Sequence, residues 1–267
     1  MSAPTGYFGV GADAAGGQPR LWERLTWPAI ERLQADGERL VLMPVGALEQ
    51  HGPHLPLNTD VVIAGAVCGY ASARTGVPVL PTLPVAVSVG HTQHWPGTVS
   101  VMHETLIACV REMVAWVKAA GFDRILVVNS HAGNAATLSV AIDQLRYTYG
   151  SALQVGLVAT YAVSDSVRDY FFSDAGDIHA NRAETDLMLY LDPAACAMDQ
   201  VADDPDRTDG TVFSYTVART SRNGVTGQPS LGDGDQGRAL LQEMGEALAA
   251  TVERGRLETA PLETATP

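Results

Sequence analysis

Residues 49–60 read Glu-Gln-His-Gly-Pro-His-Leu-Pro-Leu-Asn-Thr-Asp, which places the carboxylates Glu49 and Asp60 and the imidazoles His51 and His54 in one short stretch. Glu49 and His51 are two apart, and in an extended segment such a pair points to the same side. Asp60 sits where a helix is expected to begin, which can return its carboxylate beside them. Pro53 and Pro56 restrict the loop, so a cation bound there costs little loop entropy. Carboxylate oxygens and imidazole nitrogens together suit Zn²⁺, Mn²⁺ or Fe²⁺. Taken alone, the stretch is equally a solvated turn with a capping aspartate and a surface histidine.

Two further segments shift that balance. His131 stands in Asn-Ser-His-Ala-Gly-Asn (129–134), just past an apolar run, with small neighbours that leave room for a ligand. In Asp-Ile-His-Ala-Asn-Arg-Ala-Glu (177–184), Glu184 opens an apolar helix and His179 precedes it. A histidine after a strand can be only a cap, and an acid at a helix start only a dipole partner. Together, Glu49, His51, Asp60, His131 and Glu184 exceed the three protein ligands of a single catalytic zinc. Two ions sharing Asp60 as a bridge would use all five and leave open positions for water. His91, His94, Trp95 and Ser130 are the polar and aromatic residues placed to reach a substrate. His54 is a supporting or plain loop histidine. No G-x-S-x-G elbow surrounds Ser130, so a serine nucleophile is not expected.

The elements that must position these residues alternate. Residues 39–46 form a short apolar run ending in glycine, read as a buried strand. A helix is expected over 61–73, capped by Asn58 or Thr59. A second β segment spans 77–87, interrupted by Pro81 and Pro84. An amphipathic helix covers 103–120, closed by Gly121. Residues 124–129 are the clearest strand, followed by a helix to Tyr149 and a strand at 153–159. Short helices follow at 165–172 and 183–191. Residues 199–233 are polar and irregular, and a last helix runs over 235–254. This order implies βαβ units and a mainly parallel sheet. The polar motifs at 49–60 and 129–134 both follow strand ends, the edge where open α/β sheets place ligands.

The chain has 267 residues and a formal charge of −13. A surface that acidic disfavours nucleic-acid and anionic-membrane partners, and a small-molecule substrate is expected. Residues 1–18 read as a flexible arm, 19–257 as one domain and 258–267 as a flexible tail. Cys68, Cys109 and Cys196 lie far apart, as in a reduced cytoplasmic chain. No secretory signal and no apolar run of about 18 residues is visible.

Four segments, 44–60, 129–134, 179–193 and 224–230, resemble in order the signature segments of the creatininase family of metal-dependent amidohydrolases. The resemblance implies a three-layer α/β/α sandwich with a mainly parallel sheet. It further implies two divalent ions, zinc first with manganese or iron possible, and cleavage of an amide-type C–N bond. By motif position, Glu49 and His131 would hold one ion, His51 and Glu184 the other, and Asp60 both. His179 would shuttle a proton, with Asp177 orienting it or a water. Homo-oligomers such as hexamers are expected. Creatininases proper carry a metal-binding glutamate where this chain has Gly133, and they flank the catalytic Asp-x-His with tryptophans, where this chain reads Gly176-Asp177-Ile178-His179. The family also holds a formamide-cleaving deformylase and a peptidase that trims the mycofactocin precursor.

Overall fold

The computed structural model describes residues 15–262. Of the expected arm and tail, residues 1–14 and 263–267 lie outside the described residues. The chain opens with β1 (Arg20–Leu21) and α1 (Trp27–Ala35). Pro28 stands in the first turn of α1, where its fixed φ and missing N–H are harmless. There follow β2 (Leu40–Val45), α2 (Thr59–Thr75), β3 (Pro78–Val79), α3 (His103–Ala119), β4 (Arg124–Asn129), α4 (Ala135–Tyr149) and β5 (Gln154–Ala159). The C-terminal part adds α5 (Asp165–Phe171), α6 (Arg182–Leu191), the single-turn α7 (Val217–Thr220) and the long α8 (Gly234–Leu257).

The strands form one parallel sheet in the order β1-β3-β2-β4-β5. β2 and β4 pair from Leu40 with Arg124 to Val45 with Asn129. Side chains alternate across it. Leu40, Leu42 and Val128 pack with α2, α6 and α8 on one face, while Val41, Met43, Val45, Ile125 and Val127 pack with α3 and α4 on the other. That gives the three-layer α/β/α sandwich, and explains why the central strands are apolar on both faces.

Two local readings need correction. Within 77–87 only Pro78–Val79 forms a strand, because Pro81 and Pro84 lack the N–H that a ladder needs. The chain still follows the sheet edge, with Leu83 N donating to Pro44 O and Gly46 N to Leu83 O, both at 3.0 Å. At the start of α2, neither expected cap operates. Asn58 takes the cap position without a side-chain bond, and Thr59 Oγ1 donates to Pro56 O at 2.7 Å instead. The edge strand β1 is too short for any periodicity to announce it.

Gly46 links the sheet to the site. A Cβ there would lie 2.6 Å from Val61 N, so only glycine lets the end of β2 press against the first turn of α2. That contact carries Asp60 to the chain leaving β2.

Candidate metal centre

Glu49 N donates to Leu57 O at 2.8 Å, closing the loop between β2 and α2 and returning Asp60 beside Glu49 and His51. His51 Nδ1 donates to the Glu49 carbonyl at 3.0 Å, which leaves Nε2 free to face the site. Nε2 lies 3.5 Å from Asp60 Oδ1 and 3.9 Å from Glu184 Oε1. His131 follows β4. Its Nε2 donates to Val87 O at 2.9 Å, and its Nδ1 stands 3.3 Å from Asp60 Oδ2. Glu49 Oε2 is 3.3 Å from His131 Nε2.

Glu184 enters from the first turn of α6, where the Asn181 side chain caps its N–H at 3.2 Å. His179 is held by a bridge in which Thr226 N donates to His179 O at 2.7 Å. Between His179 and Asn181, Ala180 takes φ 49°, the one positive φ of a non-glycine among the described residues. This left-handed turn swings the chain from His179 into the α6 cap. His54 is buried but turns away. Its Nε2 donates to Thr185 Oγ1 at 2.9 Å, and burial, then His51, lowers it to about 4.

Glu49 Oε1 and Oε2, Asp60 Oδ2 and Glu184 Oε2 are buried and have no hydrogen-bond partner. Leaving a buried charged acceptor unsatisfied costs several kcal/mol, so the cluster calls for cations. The titration pattern agrees. Burial outweighs the nearby histidines and raises Glu49, and burial raises Glu184 to about 7. Burial alone would lower His51 and His131. Asp60, Glu184 and Glu49 lift His51 to about 10, while Glu49 and Asp60 lift His131 to about 9. Each group reaches for a proton in the space where a metal would sit. His51, Asp60 and Glu184 bring three ligand atoms within 4.8 Å of one another, and so do Glu49, His91 and His179. The donor set therefore fits divalent metal.

These residues line a cavity of about 440 Å³ with Ser88, Ser130, Tyr161, Asp177, Tyr215 and Thr226. Ser130 Oγ shares a hydrogen bond of 2.9 Å with Thr160 Oγ1. Asp177 is raised by burial and by Asp206, whose carboxylate accepts the Asp177 N–H at 2.9 Å. His91 stands closer to the charge than its place in the sequence suggested, with Nδ1 3.3 Å from Glu49 Oε1. His94 and Trp95 do not line this cavity. They pack edge to face on each other with centroids 4.7 Å apart. The 3-10 turn Val89–His91 gives the inward position to His91, and the chain beyond it runs at the surface. Gln50, Ser88, Tyr215 and Thr226 escaped the sequence reading because none is a ligand type and none sits in a periodic segment. Gly133 has a steric reason. A Cβ there would lie 2.5 Å from His131 Nε2 and 2.8 Å from Val87 O, so His131 occupies the space a side chain at 133 would need.

A parallel α/β/α sandwich with buried, unpartnered carboxylates and histidines at the carboxyl edge of its sheet is the frame of a metal-dependent enzyme. The chain belongs to the creatininase family, whose model, described as creatinine amidohydrolase, matches residues 23–252. It is 31% identical over 247 residues to the creatinine amidohydrolase of Pseudomonas putida, covering 85% of this chain and 94% of that one. It is 32% identical over 229 residues to the mycofactocin precursor peptide peptidase of Mycolicibacterium smegmatis, covering 80% and 85%. A solved structure described as "Creatininase Mn" superposes with a TM-score of 0.77 at 28% identity, covering 89% of this chain and 98% of that one.

Proposed function

We propose that this protein hydrolyses an amide-type C–N bond of a small non-peptide substrate, a cyclic amide or a formamide, at a centre of two divalent ions. The carrying observation is the set of orphaned carboxylate oxygens on Glu49, Asp60 and Glu184. His51 Nε2, Asp60 Oδ1 and Glu184 would hold one ion, Glu49 and His131 the other, with Asp60 between. Zinc is the first choice for this mixed oxygen and nitrogen set, and manganese, named for a solved relative, or iron also fits. When bound, the ions polarise the scissile carbonyl and make a water nucleophilic at neutral pH.

The chain's own residues do the rest. His179 Nε2 donates to Gln50 O at 2.7 Å, so Nδ1 is the atom that faces the cavity and carries a proton to the departing nitrogen. Asp177 lies at the cavity wall two residues before it and orients that transfer. Ser130 and His91 offer polar contacts to the substrate. Among the described residues no helix is long and apolar enough to cross a membrane, and the free cysteines Cys68, Cys109 and Cys196 fit a reducing cytoplasm. Trp116 on α3 and Tyr147 on α4 are 75% and 93% exposed, which supports a homo-oligomer.

A second reading, trimming of a short peptide, draws on the similarity to the mycofactocin precursor peptide peptidase. Elemental analysis and a substrate panel test both. About two ions per chain, lost in Glu49→Ala and Asp60→Ala, with turnover of lactams or formamides, is the expected result. Turnover of peptides alone would select the second reading. A metal content of one or none, indifferent to these substitutions, would remove the two-ion centre.

A further inference from the structure

Gln50 is 4% exposed, and its carboxamide sits at the crossing of the site's polar contacts. Oε1 accepts the Gly52 N–H at 3.0 Å. That contact fixes which end of the amide is which, since a flipped amide would set NH₂ against an N–H. Nε2 then faces three groups: His91 Nδ1 at 2.9 Å, His179 Nε2 at 2.9 Å and Gly224 O at 3.2 Å. An amide has only two hydrogens to give.

The third contact resolves itself. His179 Nε2 also lies 2.7 Å from the main-chain oxygen of Gln50. A carbonyl cannot donate, so His179 carries its proton on Nε2 and cannot accept there. The two amide hydrogens go to His91 Nδ1 and to Gly224 O, and each donor has one acceptor. Gly224 is part of the device. Its φ is +80°, and a Cβ there would come 2.1 Å from Gln50 Oε1.

The two histidines are thereby left with opposite free ends, although their rings are only 4.5 Å apart. His179 has its N–H engaged and its Nδ1 lone pair free, 3.4 Å from Glu49 Oε1. His91 Nδ1 accepts from the Gln50 amide at 2.9 Å, a nearer neighbour than Glu49 Oε1 at 3.3 Å, so its proton sits on Nε2. That nitrogen has no hydrogen-bond partner among the described residues, and His91 lines the cavity.

We propose that Gln50 is a positioning residue whose side chain holds His91 as an Nε2–H donor to an acceptor oxygen of the substrate, while its main chain holds His179 as the proton carrier. The inference rests on the hydrolase reading above and deepens it. It assigns His91 to binding a carbonyl or carboxylate oxygen beside the scissile bond, a task that His179, with its N–H occupied, cannot perform.

Ring-nitrogen NMR of zinc-loaded protein labelled in its seven histidines tests this, the His91 signals being assigned by their loss in His91→Gln. The expected wild-type result is an unprotonated Nδ1 and a protonated Nε2 on His91. In Gln50→Glu an acceptor replaces the donor, so His91 gains a proton on Nδ1 while the His179 signals stay in place, because its partner is main chain. A wild-type His91 protonated on Nδ1 would overturn the proposal whether or not the variant folds. So would a folded Gln50→Glu protein with unchanged His91 signals. Zinc counted in the same samples separates the two readings. Zinc present with the wrong His91 tautomer refutes only the role of Gln50, whereas a wild type that retains neither zinc, manganese nor iron refutes the metal-dependent hydrolase reading.

Discussion

Zinc loading at pH 7 is expected to expel at least two protons per chain, with Glu49, raised by burial, adding to that number. In the metal-free protein the surrounding carboxylates hold His51 at about 10 and His131 at about 9, so both are almost fully protonated at neutral pH. An imidazole must lose one proton to ligate, which gives roughly two. Glu184, raised to about 7 by burial, is half protonated and adds roughly half a proton more. Had the histidines kept ordinary values near 6.5, each would be only about a quarter charged and together would release roughly half a proton. Calorimetric titration in buffers of different ionisation enthalpy reads the number directly, as the slope of observed heat against buffer enthalpy. The same linkage makes affinity climb about a hundredfold per pH unit just above pH 7, since two protons compete with the metal. The sign for the metal-free protein is opposite. Raised histidines contribute stability that is full below about pH 6.5 and is lost as pH rises through 9 to 10. A release of half a proton or less would refute the claim that these carboxylates and imidazoles share one buried field.

Three further outcomes follow from single contacts. Replacing His179 with alanine should lower turnover by about 10²- to 10⁴-fold with zinc content unchanged, and loss of both would end its role as proton carrier. Gly133→Glu adds a ligand type yet should weaken zinc binding at least about tenfold, because a Cβ lies 2.5 Å from His131 Nε2; competition with a chelator measures it, and equal affinity would show that His131 can move aside. Asp204 is 4% exposed and held down to about 2 by hydrogen bonds from Arg207, Arg222 N and Ser221. Urea unfolding should therefore show Asp204→Asn weaker by about 2 kcal/mol at pH 7. A depressed carboxylate contributes above its unfolded value near 4 and loses that contribution as pH falls toward 2, so the gap should close over that window. A gap that ignores pH would assign the loss to packing.

The strands and candidate ligands that could be read from sequence share a physical signature. β4 and β2 are buried on both faces and so appear as unbroken apolar runs, and the motif carboxylates and histidines sit at their ends. What stayed hidden lacks any period. His91 and His94 share one loop and one residue type, and only the turn at Val89–His91 decides which of them faces inward. Residues 199–233 look featureless because they are held by side-chain to main-chain bonds rather than by a buried stripe. Asp204 Oδ2 accepts Arg222 N at 2.7 Å, Asp174 Oδ2 accepts Gln228 N at 2.8 Å, and Asp206 Oδ2 accepts Gly176 N at 2.9 Å. Aspartates spaced this way resemble ordinary surface charge until the fold closes around them.

Those same bonds bear on how one scaffold could serve different substrates. Tyr215, Thr216 and Val217 form a wall of the cavity, and the chain then passes through Ser221, whose Oγ donates to Asp204 Oδ2 at 2.9 Å, before reaching Thr226. Thr226 is the residue bridged to His179. The Asp204 knot thus stands between this cavity wall and the segment bridged to His179, the proposed proton carrier. Phe213 is 72% exposed, and the stretch around it has few ties to the rest of the fold, so its side chains can change without disturbing a buried contact. Past the knot, Gly224 sits against Gln50 and Thr226 against His179, where a change reaches the residues of the proposed site at once. If the proposed hydrolysis holds, selection between amides and peptides has room to act on 211–217, while 220–228 is tied to Gln50 and His179.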